Sequence, residues 1–503
     1  MGVDLVDITA KRAALTPERI ALEDALSGRT LTYAALENRV ARAAAVLAAL
    51  GVGREDRVAI LCRNRIEFFE IMFACAKLSA ILVPLNWRAP AAELTPLLDD
   101  CTPKLLVCGR EDAEAARVLK RAEMALLDLD ASAEGYECAL AAASPLVTER
   151  RWPGENIWSL FYTSGTTGAP KAVIQTFQMT AVNAFHVGHA FGLKSSDRTL
   201  NFLPLFHTAG IQLLTLPTLI AGGTVSVMPS FDPDIAFGLL PRTDTFFAVP
   251  TVYQQLALDP RFDAADLAHV RTWGCGGAPL PDVLVERYAA KGVAVCNGYG
   301  MTETGPTAFV ASPEDALSKI GSVGKPQMLL DVRIVDADGR DVAVGETGEI
   351  WMRGAGLTPG YWRRPEENAR AFTKDGWLKS GDLGRCDADG AYYVAGRIKE
   401  MFISGGENVY PAEVENVLAR HPAILEAAVI GAPDEKWGEV GHAFVQLRGD
   451  AHPNALELIQ FCRAQLAGYK TPRHFTFVED FPRTPAGKIR KHLLTPAAPG
   501  PAR

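Results

Sequence analysis

Short apolar runs alternate with amphipathic stretches through the middle of the chain. The run 157–164 (IWSLFYTS) enters a Gly/Thr loop, 172–176 (AVIQT) resumes as a strand, and 177–191 has the spacing of a helix. Runs at 199–205, 224–229, 245–250 and 270–277 also read as strands, and segments between them, such as 280–292, carry helical periodicity. This alternation predicts an α/β fold of largely parallel, helix-covered sheets, with functional loops at the carboxyl ends of strands. Near residue 397 the pattern changes. Residues 387–397 read as a hairpin turning at Asp389-Gly390, 411–421 as a helix, 424–432 as a strand and 455–468 as a helix. The expectation is a large N-terminal domain, residues 1–396, and a smaller α+β C-terminal domain, residues 397–503. The tail from Thr495 is rich in Pro and Ala and is expected to fray.

Composition narrows the function classes. A chain of 503 residues is too long for one core. The net charge of −8 leaves no basic footprint for nucleic acid or an anionic membrane. The nine cysteines are scattered without a Cys-x-x-Cys pair, which argues against a zinc site or a disulfide framework. The first residues lack the apolar core of a signal peptide, and Val6 stands where myristoylation needs Ser or Thr. Apolar stretches are interrupted by Lys77, Pro217 and Gly222, so no spanning helix is expected and a cytoplasmic location is. The sequence does not write its oligomeric state; a homodimer is compatible with it.

The strongest chemical signal is the segment from Tyr162 to Lys171. Gly165 and Gly168 allow a tight turn whose N–H groups approach a ligand. The hydroxyls of Thr163, Ser164, Thr166 and Thr167 and the ammonium of Lys171 add donors suited to a polyphosphate. The spacing is not that of a Walker A loop.

This segment resembles the signature loop of the adenylate-forming superfamily, which spans acyl-CoA synthetases, peptide-synthetase adenylation domains and luciferases. Ala172 replaces the usual Gly. The other motifs of that family follow in order, from about residue 10 to 495. Gly276-Gly277-Ala278-Pro279 resembles its adenine-side segment. Asn297-Gly298-Tyr299-Gly300-Met301-Thr302-Glu303 resembles the motif in which Tyr299 would stack on adenine, Thr302 bond the α-phosphate and Glu303 place Mg²⁺. Asp382 resembles the ribose-gripping carboxylate, and Arg397 a second ribose or phosphate contact. His207, after Leu203-Pro204-Leu205-Phe206, resembles a gate beside the acid. Lys399 falls at the family hinge, Gly405 and Gly406 in the loop lining the pantetheine tunnel, and Trp437 at a CoA contact. Lys488 stands in a loop like that of the catalytic lysine.

The resemblance implies an acid–CoA ligase using ATP, Mg²⁺ and coenzyme A. The acid would form an acyl-adenylate with loss of pyrophosphate, and the thiol of CoA would then displace AMP. It further implies a mobile C-terminal domain, because Lys488 must leave before the thiol arrives. An enzyme loading a carrier protein in trans is the alternative, although Trp437 and the Gly405-Gly406 loop favour free CoA. A non-catalytic nucleotide-binding protein fits poorly, since every expected catalytic residue is present. The family's pocket segments, near 202, 207–211, 249–253, 273–276 and 300–307, are apolar or small here. That argues against a dicarboxylic acid and leaves fatty and aryl or arylalkenoic acids open.

Overall fold

The computed structural model describes residues 3–132, 135–163, 170–449, 451–484 and 487–495. Two α/β layers dominate. A six-stranded sheet runs Lys171–Thr176, Ile157–Thr163, Ile81–Pro84, Arg57–Leu61, Leu105–Cys108, Ala125–Asp128, parallel except for the first pair. A nine-stranded sheet is parallel from Val295–Tyr299 through Thr272–Cys275, Thr245–Ala248, Arg198–Asn201 and Thr224–Val227 to Ile20–Asp24, with antiparallel edges.

The helix Ile66–Lys77 is buried along its whole length. Its apolar residues join Val58, Ile60 and Leu82 of one sheet and Leu22, Val225 and Val227 of the other in a single core. A helix apolar all round belongs between two layers. Its three charges survive there because each is paired: Glu67 with Arg65 at 2.7 Å, Glu70 with Arg39 at 2.6 Å and Lys77 with Asp7 at 2.5 Å. A second core lies on the other face of the nine-stranded sheet, under Pro250–Leu258 and Asp282–Ala289.

A four-stranded antiparallel sheet follows: Leu330–Val335, Gly348–Gly354, Leu378–Cys386, Tyr392–Arg397. The sequence revealed only its last turn, at 387–391, with Gly390 at φ 79°. The chain then crosses a turn at 398–400 into a five-stranded sheet containing Phe402–Ser404, Ile424–Asp434 and Gly438–Leu447. The helices Pro411–Ala419 and Ala455–Arg463 pack on it around Val414, Leu418, Leu458 and Cys462. This small lobe leans on the large one. Asp282 accepts from Asn416 Nδ2 at 3.1 Å and from Arg420, and Gln254 donates to the carbonyl of Leu425 at 3.1 Å. Among the described residues, no helix is long and apolar enough to cross a membrane.

Candidate active site

The carboxyl ends of both parallel sheets open toward the same region. At Ile157–Thr163 and Lys171–Thr176, Thr163 lies opposite Lys171, and its hydroxyl donates to the Lys171 carbonyl at 3.3 Å. The hairpin thus closes the proposed phosphate loop. Ser164, Gly165, Thr166, Thr167 and Gly168 lie outside the described residues.

Glu303 sits in the one-turn helix Thr302–Thr304 and is buried. Its Oε1 accepts the hydroxyl of Tyr361 at 2.8 Å, and Gln175 Nε2 donates to the carbonyl of Thr302 at 2.7 Å. The ammonium of Lys171 rests 3.7 Å from the centre of the Tyr361 ring. Burial lowers the Lys171 ammonium from its ordinary value, and Lys399 adds to this; Glu303 and Glu367 oppose it. Lys171 thus feels the charges of both Glu303 and Lys399. No group of three or more His, Cys, Asp or Glu side chains gathers as a resident metal site among the described residues. One carboxylate beside the Thr302 hydroxyl suits Mg²⁺ arriving with ATP, since that ion takes one or two protein oxygens and completes its shell with phosphate and water.

Beside it, Tyr299 ends the strand Val295–Tyr299 and donates to Asp382 Oδ2 at 2.5 Å. Arg397 Nε stands 3.4 Å from Asp382 Oδ1. Burial and the Asp382 charge push the Tyr299 hydroxyl well above its usual range. Burial also raises the Asp382 carboxyl, against the pull of Tyr299, Arg397 and Lys488. The residues expected to meet adenine and ribose are thus adjacent. The glycines around them leave no room for side chains. A Cβ on Gly300 would stand 1.7 Å from the Pro306 carbonyl, and one on Gly276 would stand 3.0 Å from the Gly298 carbonyl. Gly277 turns at φ +86° into Ala278-Pro279. Asn297 donates to the Ser322 carbonyl at 3.3 Å, and the Met301 N–H donates to Thr304 Oγ1 at 3.0 Å.

Lys488 arrives from the small lobe on a tight loop. Gly487 has φ +83°, its N–H donates to the Thr484 carbonyl at 2.8 Å, and the Lys488 N–H donates to Thr484 Oγ1 at 3.1 Å. The side chain remains accessible to water while groups of both lobes stand around it. Desolvation and then Arg397 lower its ammonium; Asp382, Glu400 and Glu303 oppose. His207 lies near enough to feel Lys488. Burial first, then Lys488 and Arg88, push it down to about 4. Its Nε2 is buried without a hydrogen-bond partner among the described residues, and its ring lies 4.7 Å from that of Phe206.

Gly405, Gly406 and Trp437 are not brought to this cluster. The Gly405 N–H donates to the Trp437 carbonyl at 2.9 Å, and Arg473 lies over the Trp437 indole at 5.2 Å, all within the small lobe. On the acid side, Trp273 faces the core against Phe246, Tyr253 and Tyr288, with ring centres 5.0, 6.3 and 5.9 Å away. Gly274 faces the other way, where a Cβ would stand 2.6 Å from Phe247 and 2.8 Å from Phe191. With Val187, Leu213 and Leu214 these rings form an apolar cluster. Sequence reasoning missed Tyr361, Gln175, Asp282 and Arg420, none of which stands in a motif that it singled out.

Residues 9–362 match the model of the AMP-binding enzyme family, and residues 413–488 match the AMP-binding enzyme C-terminal domain. Feruloyl-CoA synthase of an Amycolatopsis species is 41% identical over 483 residues, 96% of each chain. A long-chain-fatty-acid–CoA ligase of Mycobacterium tuberculosis is 36% identical over 492 residues, again 96% of each. The solved o-succinylbenzoate CoA synthetase from Bacillus subtilis, in complex with its acyl-adenylate intermediate, superimposes with a TM-score of 0.88 at 34% identity, covering 99% of both chains.

Proposed function

This chain belongs to the adenylate-forming family of AMP-binding enzymes and is an ATP-dependent acid–CoA ligase; from that premise we propose which acid it takes and which side chains do the work. Its substrates are ATP with Mg²⁺, a carboxylic acid and CoA. We assign the acid as an aryl or arylalkenoic monocarboxylic acid. The observation that carries this is the wall at Gly274, where the absent side chain leaves the Phe191 and Phe247 rings against the strand, packed with Val187, Leu213 and Leu214. Flat rings stack well on such a wall, and a second carboxylate would be buried there unpaired. The relation to a feruloyl-CoA synthase supports the assignment.

In the first half-reaction an acid oxygen attacks the α-phosphorus of ATP, the bond to pyrophosphate breaks, and acyl-AMP forms. Two anions must meet, so charge neutralisation is the main task. Mg²⁺ supplies Lewis-acid charge on the phosphate oxygens. Glu303 would hold that ion, Lys171 and the loop from Thr163 would take the β- and γ-phosphates, and the Thr302 hydroxyl would take the α-phosphate. Asp382 and Arg397 hold the ribose. Asn297, Tyr299 and the backbone from Gly276 to Pro279 hold adenine. Lys488 bridges acid and α-phosphate. His207, neutral at pH 7, contributes a ring edge and no charge.

In the second half-reaction the CoA sulfur attacks the acyl carbon and AMP leaves. Lys488 occupies the approach, and Trp437 with Gly405 and Gly406 lies elsewhere in the small lobe. A rigid-body rotation of residues 397–503 relative to 1–396 exchanges the two faces, with Lys399 in the connecting turn as hinge. We place the enzyme in the cytoplasm, in keeping with nine free cysteines, seven of them buried. Pyrophosphate release and CoA-thioester formation, measured over benzoates, cinnamates and fatty acids of graded length, test the assignment. Cinnamate-type acids should give the highest kcat/KM; preference for a long-chain fatty acid overturns it.

A further inference from the structure

Tyr361 stands outside every motif that carries the chemistry, yet it touches the two charges that must receive Mg·ATP. Its backbone is fixed by the phosphate-loop strand: Tyr361 bridges to Val173, the Trp362 N–H donates to the Ala172 carbonyl at 2.9 Å, and the Ile174 N–H donates to the Gly360 carbonyl at 3.1 Å. Asn368 Oδ1 accepts the Tyr361 N–H at 2.7 Å. The Thr358 N–H donates to the Glu303 carbonyl at 2.8 Å, so the same segment also grips the turn bearing Glu303. From this fixed base the 4% exposed side chain reaches inward. Its hydroxyl donates to Glu303 Oε1 at 2.8 Å, and its ring face takes the Lys171 ammonium at 3.7 Å.

Lys171 and Glu303 are opposite charges close enough to influence one another, yet among the described residues Lys171 forms no ion pair. A direct pair would cancel both the charge meant for phosphate and the charge meant for the cation. A ring between them holds the ammonium by its quadrupole without neutralising it. The hydroxyl meanwhile fixes one carboxylate oxygen, and no hydrogen bond among the described residues engages the other.

We propose that Tyr361 is a positioning residue that keeps Lys171 and Glu303 apart and separately oriented, so that the site is already charged for Mg·ATP before the nucleotide arrives. This rests on the assignment of Glu303 above. The test uses the full-length enzyme, with calorimetric ATP binding measured in EDTA and in Mg²⁺. Tyr361→Phe, which keeps the ring, should bind ATP normally in EDTA but lose about 10-fold of the affinity gained on adding Mg²⁺. Tyr361→Leu should lose about 10-fold in EDTA as well, because Lys171 then collapses onto Glu303. Adding Glu303→Gln to Tyr361→Leu should restore the EDTA affinity, a rescue that a merely structural role would not give. Wild-type binding by Tyr361→Phe, or absence of that rescue, overturns the proposal. Should Tyr361→Leu fail to fold, Tyr361→Phe decides alone. Glu303→Gln by itself tests the premise: an intact Mg²⁺ effect there sinks the Glu303 assignment, whereas a lost Mg²⁺ effect with normal Tyr361 variants sinks only this inference.

Discussion

Lys488 is a cation that the small lobe brings within reach of Asp382 and Glu303, and its surroundings define what removing it should do. It feels the charges of Asp382, Glu400 and Glu303 and lies among groups of both lobes. Lys488→Ala should lower acid-dependent ATP–pyrophosphate exchange by about 10²–10³-fold, or roughly 3–4 kcal/mol. Thioester formation from supplied acyl-adenylate should survive; equal loss in both assays would contradict the role. A second residue-scale consequence concerns stability. His186 is buried, its Nε2 accepts the N–H of Leu329 at 3.2 Å, and burial pushes it down to about 4. Between about pH 4 and the ordinary value near 6.5, the unfolded chain binds this proton and the folded chain does not. Stability from this group is therefore full above about 6.5 and declines as pH falls toward 4. Urea midpoints measured across that window should fall more steeply for wild type than for His186→Gln, by up to about one proton's worth of slope.

At the scale of elements, the strand Thr272–Cys275 separates two jobs by alternation. Trp273 and Cys275 point into the core, and Gly274 points to Phe191 and Phe247, the proposed acid wall. Trp273→Phe should cost about 1–3 kcal/mol in chemical unfolding and leave the ranking of acids unchanged. Gly274→Ala should displace Phe191 and Phe247 and reduce kcat/KM for bulky aryl acids by about 10-fold more than for small ones. Matching acid profiles for the two variants would place the pocket elsewhere. The same strand shows what was legible in the sequence. Its existence followed from the apolar run, but it stops at Cys275 because Gly277 takes φ +86°. The run at 199–205 likewise ends as a strand at Asn201, whose amide turns inward to the Gly210 carbonyl at 2.6 Å and to Thr215. Apart from the hairpin read at 387–397, the antiparallel sheet from Leu330 to Arg397 escaped notice because its strands are half-exposed and carry weak apolar runs. Tyr299, Glu303 and Asp382 were readable because each sits inside a contiguous motif. Tyr361 was not, because its meeting with Glu303 spans 58 positions and exists only after packing.

For the whole molecule, the proposed mechanism uses two lobe orientations, and on that proposal the present contacts belong to the one that serves adenylation. The strand ending at Arg397 belongs to the large lobe's sheet, and Phe402–Ser404 belongs to the small one. The turn at 398–400, with Lys399 at its centre, is the link that must absorb the rotation. Lys399→Pro fixes φ near −65°. Pyrophosphate exchange should persist within a few-fold of wild type, while CoA-thioester turnover should fall by at least about 10-fold; normal turnover would move the hinge. The other end of the rotation is held by Asp282, buried at the start of its helix with Asn416 and Arg420 upon it. If the lobe turns as proposed, such a pair across the interface would be lost, and its energy would weight the adenylating orientation. Asp282→Ala removes the acceptor without touching the substrates. Adenylation should then slow several-fold, and thioester formation from supplied acyl-adenylate should hold or rise, because that step no longer breaks the contact. Single-turnover measurements of each half-reaction read this directly, and a parallel fall in both would mean that Asp282 supports the fold rather than the balance between orientations.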